Sequence, residues 1–353
     1  MNTSRPTTET DGLSPRPDDL DSTAGPAISP RWRLSVLIMA LPAVAVLIFG
    51  FFTGASVSDM KPHAMPLGIA GPPPTVGDVG RQPTVGDVGR QLATGQQGAF
   101  RIRPYTSVGA AEQAVRNREV VAALCGDSTA LTAIIAGGEG FKVSQSITAL
   151  AQQVATRAGL RLRVHDVAPL PDSDPQGVAL PTLLGSLLIP GIVGILTVAV
   201  IAKALPLTAR ALLVPVAAIV AGLAAFTMLG PGLNILSGGS WQVAGLSMLY
   251  LVAIIGAGLG LVCALGPPGV AIVALTTMTL GNATSSANVP VWFLPDWMSA
   301  TGPLLPPNAF MAAGRSLLYF DGAGLTQPVA VLLAWAAGGY LLIVFGRVRR
   351  GWR

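Results

Sequence analysis

The sequence predicts an α-helical polytopic membrane protein with about six transmembrane helices and one extracytoplasmic α/β domain between the first and second of them. Three observations carry that reading. Only 11% of the 353 residues are charged and 51% are hydrophobic, whereas clothing a soluble domain in water takes roughly 25% charged residues. The charges are also segregated: no Asp, Glu, Lys, Arg or His occurs in 211–295, 34–58, 175–202 or 322–346. Runs of this length match or exceed the roughly 20 apolar residues that cross a bilayer core. Finally, the long charge-bearing stretch, 58–174, mixes helical and strand periodicities.

Residues 1–30 are rich in Ser, Thr, Pro, Asp and Arg without apolar periodicity, and read as a disordered cytoplasmic tail. Arg31 and Arg33 then precede the first span, 34–54 (LSVLIMALPAVAVLIFGFFTG). A cleaved signal peptide is the rival reading, because Ala55 and Ser56 follow. The apolar run is longer than a typical h-region and the polar segment ahead of it is unusually long, which favours an uncleaved anchor.

The α/β domain, 58–174, is expected to hold strands at 65–70 (MPLGIA) and 100–105 (FRIRPY), and a helix at 110–118 leading into 120–124. A second amphipathic helix at 144–159 precedes a strand at 160–167, in which Arg161, Arg163 and His165 alternate with apolar residues. Nine residues, PTVGDVGRQ, occur twice in succession at 74–82 and 83–91. Two copies are too few for a solenoid, so the duplication reads as a lengthened surface loop.

Five further spans follow at 179–202, 211–229, 243–265, 270–280 and 329–345. Lys203 and Arg210 bracket a short loop, and Arg347, Arg349, Arg350 and Arg353 follow the last span. With Arg31 and Arg33 at the other end, this charge placement puts both termini in the cytoplasm and the protein in the plasma membrane. The fifth span is short and reads as a broken or re-entrant helix. After it, 281–327 holds Trp292, Pro295, Trp297, Pro303, Pro306 and Pro307, as expected of a loop resting at the membrane interface. The net charge of +5 is dispersed or serves orientation, so no nucleic-acid partner is implied.

Chemistry is conspicuous by what is missing. The three lysines, Lys61, Lys142 and Lys203, follow no GxxxxG, and no GxSxG or HExxH occurs. Glu112, Glu119, Asp127, Glu139 and Asp166 are scattered without a nucleophile or base at useful spacing, so no enzyme is expected. Cys125 and Cys263 fall at opposite ends of the predicted topology, and His63 and His165 lie far apart, so neither a disulfide, a metal site nor a cofactor is expected. The proposed spans hold no ionisable residue, and a transporter without one draws its energy from a partner. Polar residues near the outer end of the fifth span, Thr276, Thr277, Thr279 and Asn282, either cap and join helices or line a substrate path. Gly256 and Gly260 form a GxxxG stripe that predicts close packing within the bundle or in a dimer.

MPLGIAG at 65–71, EQAVRNREVVAA at 112–123, PDWM from Pro295, LLPPN at 304–308 and GRSLLYFDG at 314–322 together resemble type-2 ABC exporter permeases. Within that superfamily the chain is most similar to the phage-infection-protein-like (Pip-like) membrane proteins of bacteria. The resemblance also rests on the order of elements: one span, a large extracytoplasmic domain, five spans, and a proline-rich hairpin before the last. It implies the permease component of an ABC-type export system, moving a lipid, drug or peptide with a second permease copy, as homodimer or heterodimer, and a separate ATPase. Lys203 and Arg210 would then mark the ATPase-coupling loop, which at 203–210 (KALPLTAR) is short and holds a proline. A non-transporting cell-surface receptor or envelope scaffold is the alternative. A large polar cavity among the later spans would favour transport; a closed, glycine-packed bundle would favour the scaffold.

Overall fold

The computed structural model describes residues 44, 46–57, 62–71, 98–126, 129–232, 241–287 and 289–351. The duplication at 74–91, Asp127, and Arg31 and Arg33 lie outside them. The chain divides into two units, Met1–Leu47 and Ile48–Arg353. Of the first, Val44, Val46 and Leu47 are described, all helical, and the last two open a short apolar helix α1, Val46–Val57.

A five-stranded sheet follows. Its strands are β1 (Met65–Ala70), β2 (Phe100–Tyr105), β3 (Ala122–Gly126), β4 (Ala130–Ile135) and β5 (Arg161–Asp166), in spatial order β2-β1-β3-β4-β5. All neighbours are parallel except β3 and β4, where the chain turns back on itself. Helix α2 (Val108–Arg116) covers one face through Ala111, Ala114 and Val115. Helix α3 (Phe141–Ala158) covers the other through Val143, Ile147, Ala151 and Val154, spaced to form one apolar stripe. With a helix on each face, the central strands are buried on both sides, and β4 reads as an unbroken apolar run, ALTAII. The edge strands β2 and β5 keep the alternation that marks a half-exposed strand, with arginines outward.

Four helices are long and apolar enough to cross a membrane. They are α4 (Ala179–Ala199, prolonged by a turn to Ala204), α5 (Leu207–Thr227, prolonged to Gly232), α6 (Trp241–Leu265) and α10 (Thr326–Gly351, apolar to Gly346). The centre of the bundle is α6, which meets its neighbours through glycine. A Cβ at Gly258 would lie 2.5 Å from Ile195 of α4, one at Gly222 of α5 would lie 3.1 Å from the Met248 backbone, and one at Gly339 of α10 would lie 2.5 Å from Ala257 N. The Gly256–Gly260 stripe is therefore used inside the bundle, where its lack of side chains lets α10 approach.

The segment read as a fifth span is a shorter broken helix, α7. It runs from Pro268 to Leu275, widens into a π-helical stretch at Thr276–Gly281, and closes at Asn282–Thr284. It starts at the C-terminal end of α6, where Gly269 abuts Leu261, and ends where Asn308 Nδ2 donates to Thr284 O at 2.5 Å. Beyond it the expected interface loop is helical instead: α8 (Asp296–Thr301) and α9 (Pro306–Tyr319). Pro306 and Pro307 sit in the first turn of α9, where a missing N–H costs nothing, and Asn308, Phe310, Met311 and Gly314 are buried against the bundle.

Candidate functional site

The residues singled out in the membrane half are mostly engaged with backbone. Lys203 is exposed in the turn after α4. Arg210 is not in that loop but in the first turn of α5, 8% exposed, where Nε donates to Val198 O at 2.6 Å and Nη2 to Ala199 O at 2.9 Å. A cation spent on the orphan carbonyls of a helix C-terminus is a cap. Thr277 Oγ1 donates to Val273 O at 2.7 Å and Thr279 Oγ1 to Leu275 O, each one turn back on its own helix, while Asn282 O accepts from Ser285 Oγ. Thr276 and Asn282 are partly buried. Arg347, Arg349 and Arg350 lie in the last turns of α10.

A denser polar cluster stands where the sheet domain meets α9. Helix α2 ends at Arg116, and Arg118 follows with φ +62°, a left-handed backbone that turns the chain toward β3. That turn aims the Arg118 guanidinium at Glu139, in the turn between β4 and α3. Nε donates to Oε1 at 2.7 Å and Nη2 to Oε2 at 3.3 Å. Glu139 is 5% exposed. The remaining donor, Nη1, reaches α9 at Ser316 Oγ (2.7 Å) and Ala312 O (3.1 Å), and the guanidinium lies 4.9 Å from the Phe320 ring centre. One arginine thus ties α2, the β4–α3 turn and α9 together. Gly138 lets this turn close on Tyr319, since a Cβ there would collide with the Tyr319 side chain.

A second guanidinium, Arg315 of α9, lies beside the first. Its Nη2 donates to Ser286 O at 2.7 Å, and Ser286 is held at φ +61°, a second left-handed non-glycine residue at this junction. Such conformations cost about 1 kcal/mol or more and persist where the surroundings over-determine them. Burial pulls the Arg315 guanidinium below its ordinary value, Glu139 opposes that, and Arg118 adds to it. Asp174 closes the junction: Oδ1 accepts from Val178 N and Oδ2 from Ala179 N, both at 2.8 Å, capping α4. Burial, with Asp174 nearby, pushes the Tyr319 phenol up to about 12.

Beside Arg315 opens a cavity of about 460 Å³, walled by the first turns of α3 and α4 and by Ser286, Ala287 and Pro290. A second, of about 420 Å³, lies between α2 and the 319–323 turn. The cluster offers cations and hydrogen-bond donors, not a nucleophile with a base. Among the described residues no three of His, Cys, Asp and Glu come together to hold a metal ion. Of the acids expected to be scattered, Glu112 pairs with Arg116 one turn away at 3.0 Å on an open helix face, and Asp166 accepts from Gly137 N and Ala168 N. His165 is exposed. Sequence reasoning passed over Arg118, Arg315 and Ser316. One signal was present: between Ala211 and Gly346 the charged residues are Asp296, Arg315 and Asp321, and an arginine so isolated in an apolar helix calls for a partner.

No protein-family model matches this chain, and neither a curated protein nor a solved structure matches it.

Proposed function

We propose that the protein is the permease component of an export system, crossing the plasma membrane six times and drawing its energy from a separate ATPase. The observation that carries this reading is the α7–α9 hairpin. It leaves the C-terminal end of α6, returns to the N-terminal end of α4, and is tied there to the sheet domain by Arg118. This supports counting α7 as a crossing, and it gives the order of elements that the permease resemblance implies. The described residues of the four long apolar helices, up to Gly346 of α10, include no Asp, Glu or His, and their two cations, Lys203 and Arg210, sit at the α4–α5 turn, where Arg210 Nε and Nη2 donate to α4 carbonyls. That supports an external energy source over a proton relay.

The test is purification of the full chain from its native membrane in mild detergent, with identification of what accompanies it. An ATPase subunit retained by the wild type and lost with Lys203→Glu is the expected result. Gradient-driven transport by the purified protein alone in vesicles would overturn it. One observation favours a second reading, a non-transporting envelope scaffold: α6 is closed by glycine contacts on α4, α5 and α10. Recovery of surface partners bound through the sheet domain, with no ATPase, would favour it.

A further inference from the structure

We propose that the cavity beside Arg315 binds the phosphate of an anionic phospholipid whose acyl chain lies along the exposed face of α4. Among the described residues neither buried acid of the junction is bonded to Arg315: both carboxylate oxygens of Glu139 are taken by Arg118, and both of Asp174 accept from the backbone at the start of α4. Arg315 makes one hydrogen bond among the described residues, to a neutral carbonyl, and it lines the cavity. A partly buried guanidinium with donors to spare matches a phosphate, which accepts two parallel hydrogen bonds from it. Lys142, exposed, also lines the opening.

The walls distinguish a lipid from a soluble anion. Phe141 and Val178 line the opening and are 42% and 49% exposed, an unfavourable arrangement in water and a favourable one against acyl chains. Thr182, also in the cavity wall, heads a continuous exposed stripe on α4: Ser186, Ile189, Val193 and Val200 follow at helical spacing. From Thr182 to Val193 the helix rises about 16 Å, close to half of a roughly 30 Å hydrocarbon core. Headgroup pocket and chain track are therefore collinear on one membrane-length helix. The proposal holds whether the protein transports or not.

The test uses the full chain in detergent and native mass spectrometry, with phosphatidylglycerol, phosphatidylcholine and inorganic phosphate as probes. Phosphatidylglycerol should be retained about tenfold over phosphatidylcholine, because both carry the phosphate but only phosphatidylcholine adds an ammonium, which the guanidinium groups of Arg315 and Arg118 repel. Arg315→Gln should bring the ratio near one. Thr182→Trp, which fills the cavity and keeps every charge, should lower phosphatidylglycerol retention as far without loss of the folded protein. Arg101→Gln, on an exposed edge strand, should change nothing. Equal retention of the two lipids by the wild type would overturn the proposal, as would unchanged preference in Thr182→Trp. Displacement of phosphatidylglycerol by millimolar inorganic phosphate would overturn the lipid assignment.

Discussion

Among the described arginines of the sheet domain Arg118 carries the most of the architecture, because its Nε, Nη1 and Nη2 all donate across elements. Removing its acid leaves a guanidinium that is 16% exposed without a counter-charge, which costs about 3–5 kcal/mol in comparable buried pairs. Glu139→Ala is therefore expected to lower the unfolding midpoint in detergent sharply. Glu112→Ala, which breaks a solvent-exposed pair on α2, should cost less than about 0.5 kcal/mol. Equal midpoints for the two variants would show that the junction does not hold the domain in place. The same scale yields a pH expectation. Burial in the sheet pushes the Cys125 thiol up to about 11, the Ala70 backbone opposing it. The folded state favours the neutral thiol, so this stabilisation is complete below the ordinary value of 9.0 and fades as pH climbs toward about 11. Stability of the wild type should fall over that window, and Cys125→Ala should fall less steeply. At pH 8 the thiol should resist maleimide until the protein is unfolded. None of this was legible beforehand: Glu139 reads as one acid among several, and its partners stand 21 residues away through Arg118 and farther still on α9.

At the level of elements, what could be read depended on whether the pattern was local. The amphipathic stripes of α2 and α3 and the alternating edge strands β2 and β5 follow from their own spacing, and so do the long apolar runs. β4 did not, because a strand buried on both faces has no alternation to display, and ALTAII fits a buried helix segment as well. β3 begins two residues later than the apolar run suggests, since Val120 and Val121 are used in the turn set by Arg118. Helix α9 was hidden by its prolines, which signal a loop by composition yet occupy the first turn of a helix. The packing of α6 against α10 gives a sharp test, because two adjacent glycines of α10 differ in surroundings. A Cβ at Gly338 meets nothing within 4 Å, while one at Gly339 meets the α6 backbone. Gly339→Ala should destabilise the bundle by forcing the helices apart, and Gly338→Ala should be neutral or stabilise by up to about 1 kcal/mol. Thermal unfolding of the two variants in one detergent decides it. Arg210→Ala should likewise lower stability through the uncapped carbonyls of α4, whereas Lys203→Ala should not.

For the whole molecule, the order of spans and the sheet domain connects to a single question of sidedness. The sheet domain is fixed to the N-terminal end of α4 by Asp174 and to α9 by Arg118, so the proposed topology puts these parts on one side of the membrane. From that end, 26 residues of apolar helix lead to Ala204, about 39 Å at about 1.5 Å per residue, more than a roughly 30 Å hydrocarbon core. In the proposed topology Lys203 then falls on the opposite side, which the positive-inside rule would make the cytoplasm together with Arg347, Arg349 and Arg350. If α6 ends on the cytoplasmic side, α7 has to cross for α9 to reach the sheet domain, although 268–284 rises only about 25 Å. The broken, π-widened geometry of α7 suits a crossing that is buried in protein and not fully exposed to lipid. Single cysteines placed on a background carrying Cys125→Ala and Cys263→Ala test every step. Gln152→Cys on α3 and Ala300→Cys on α8 should both react with an impermeant maleimide added to intact cells, and Lys203→Cys should react only after permeabilisation. Labelling of Gln152→Cys with protection of Ala300→Cys would mean that α7 turns back within the membrane, and it would remove the crossing on which the six-span count depends.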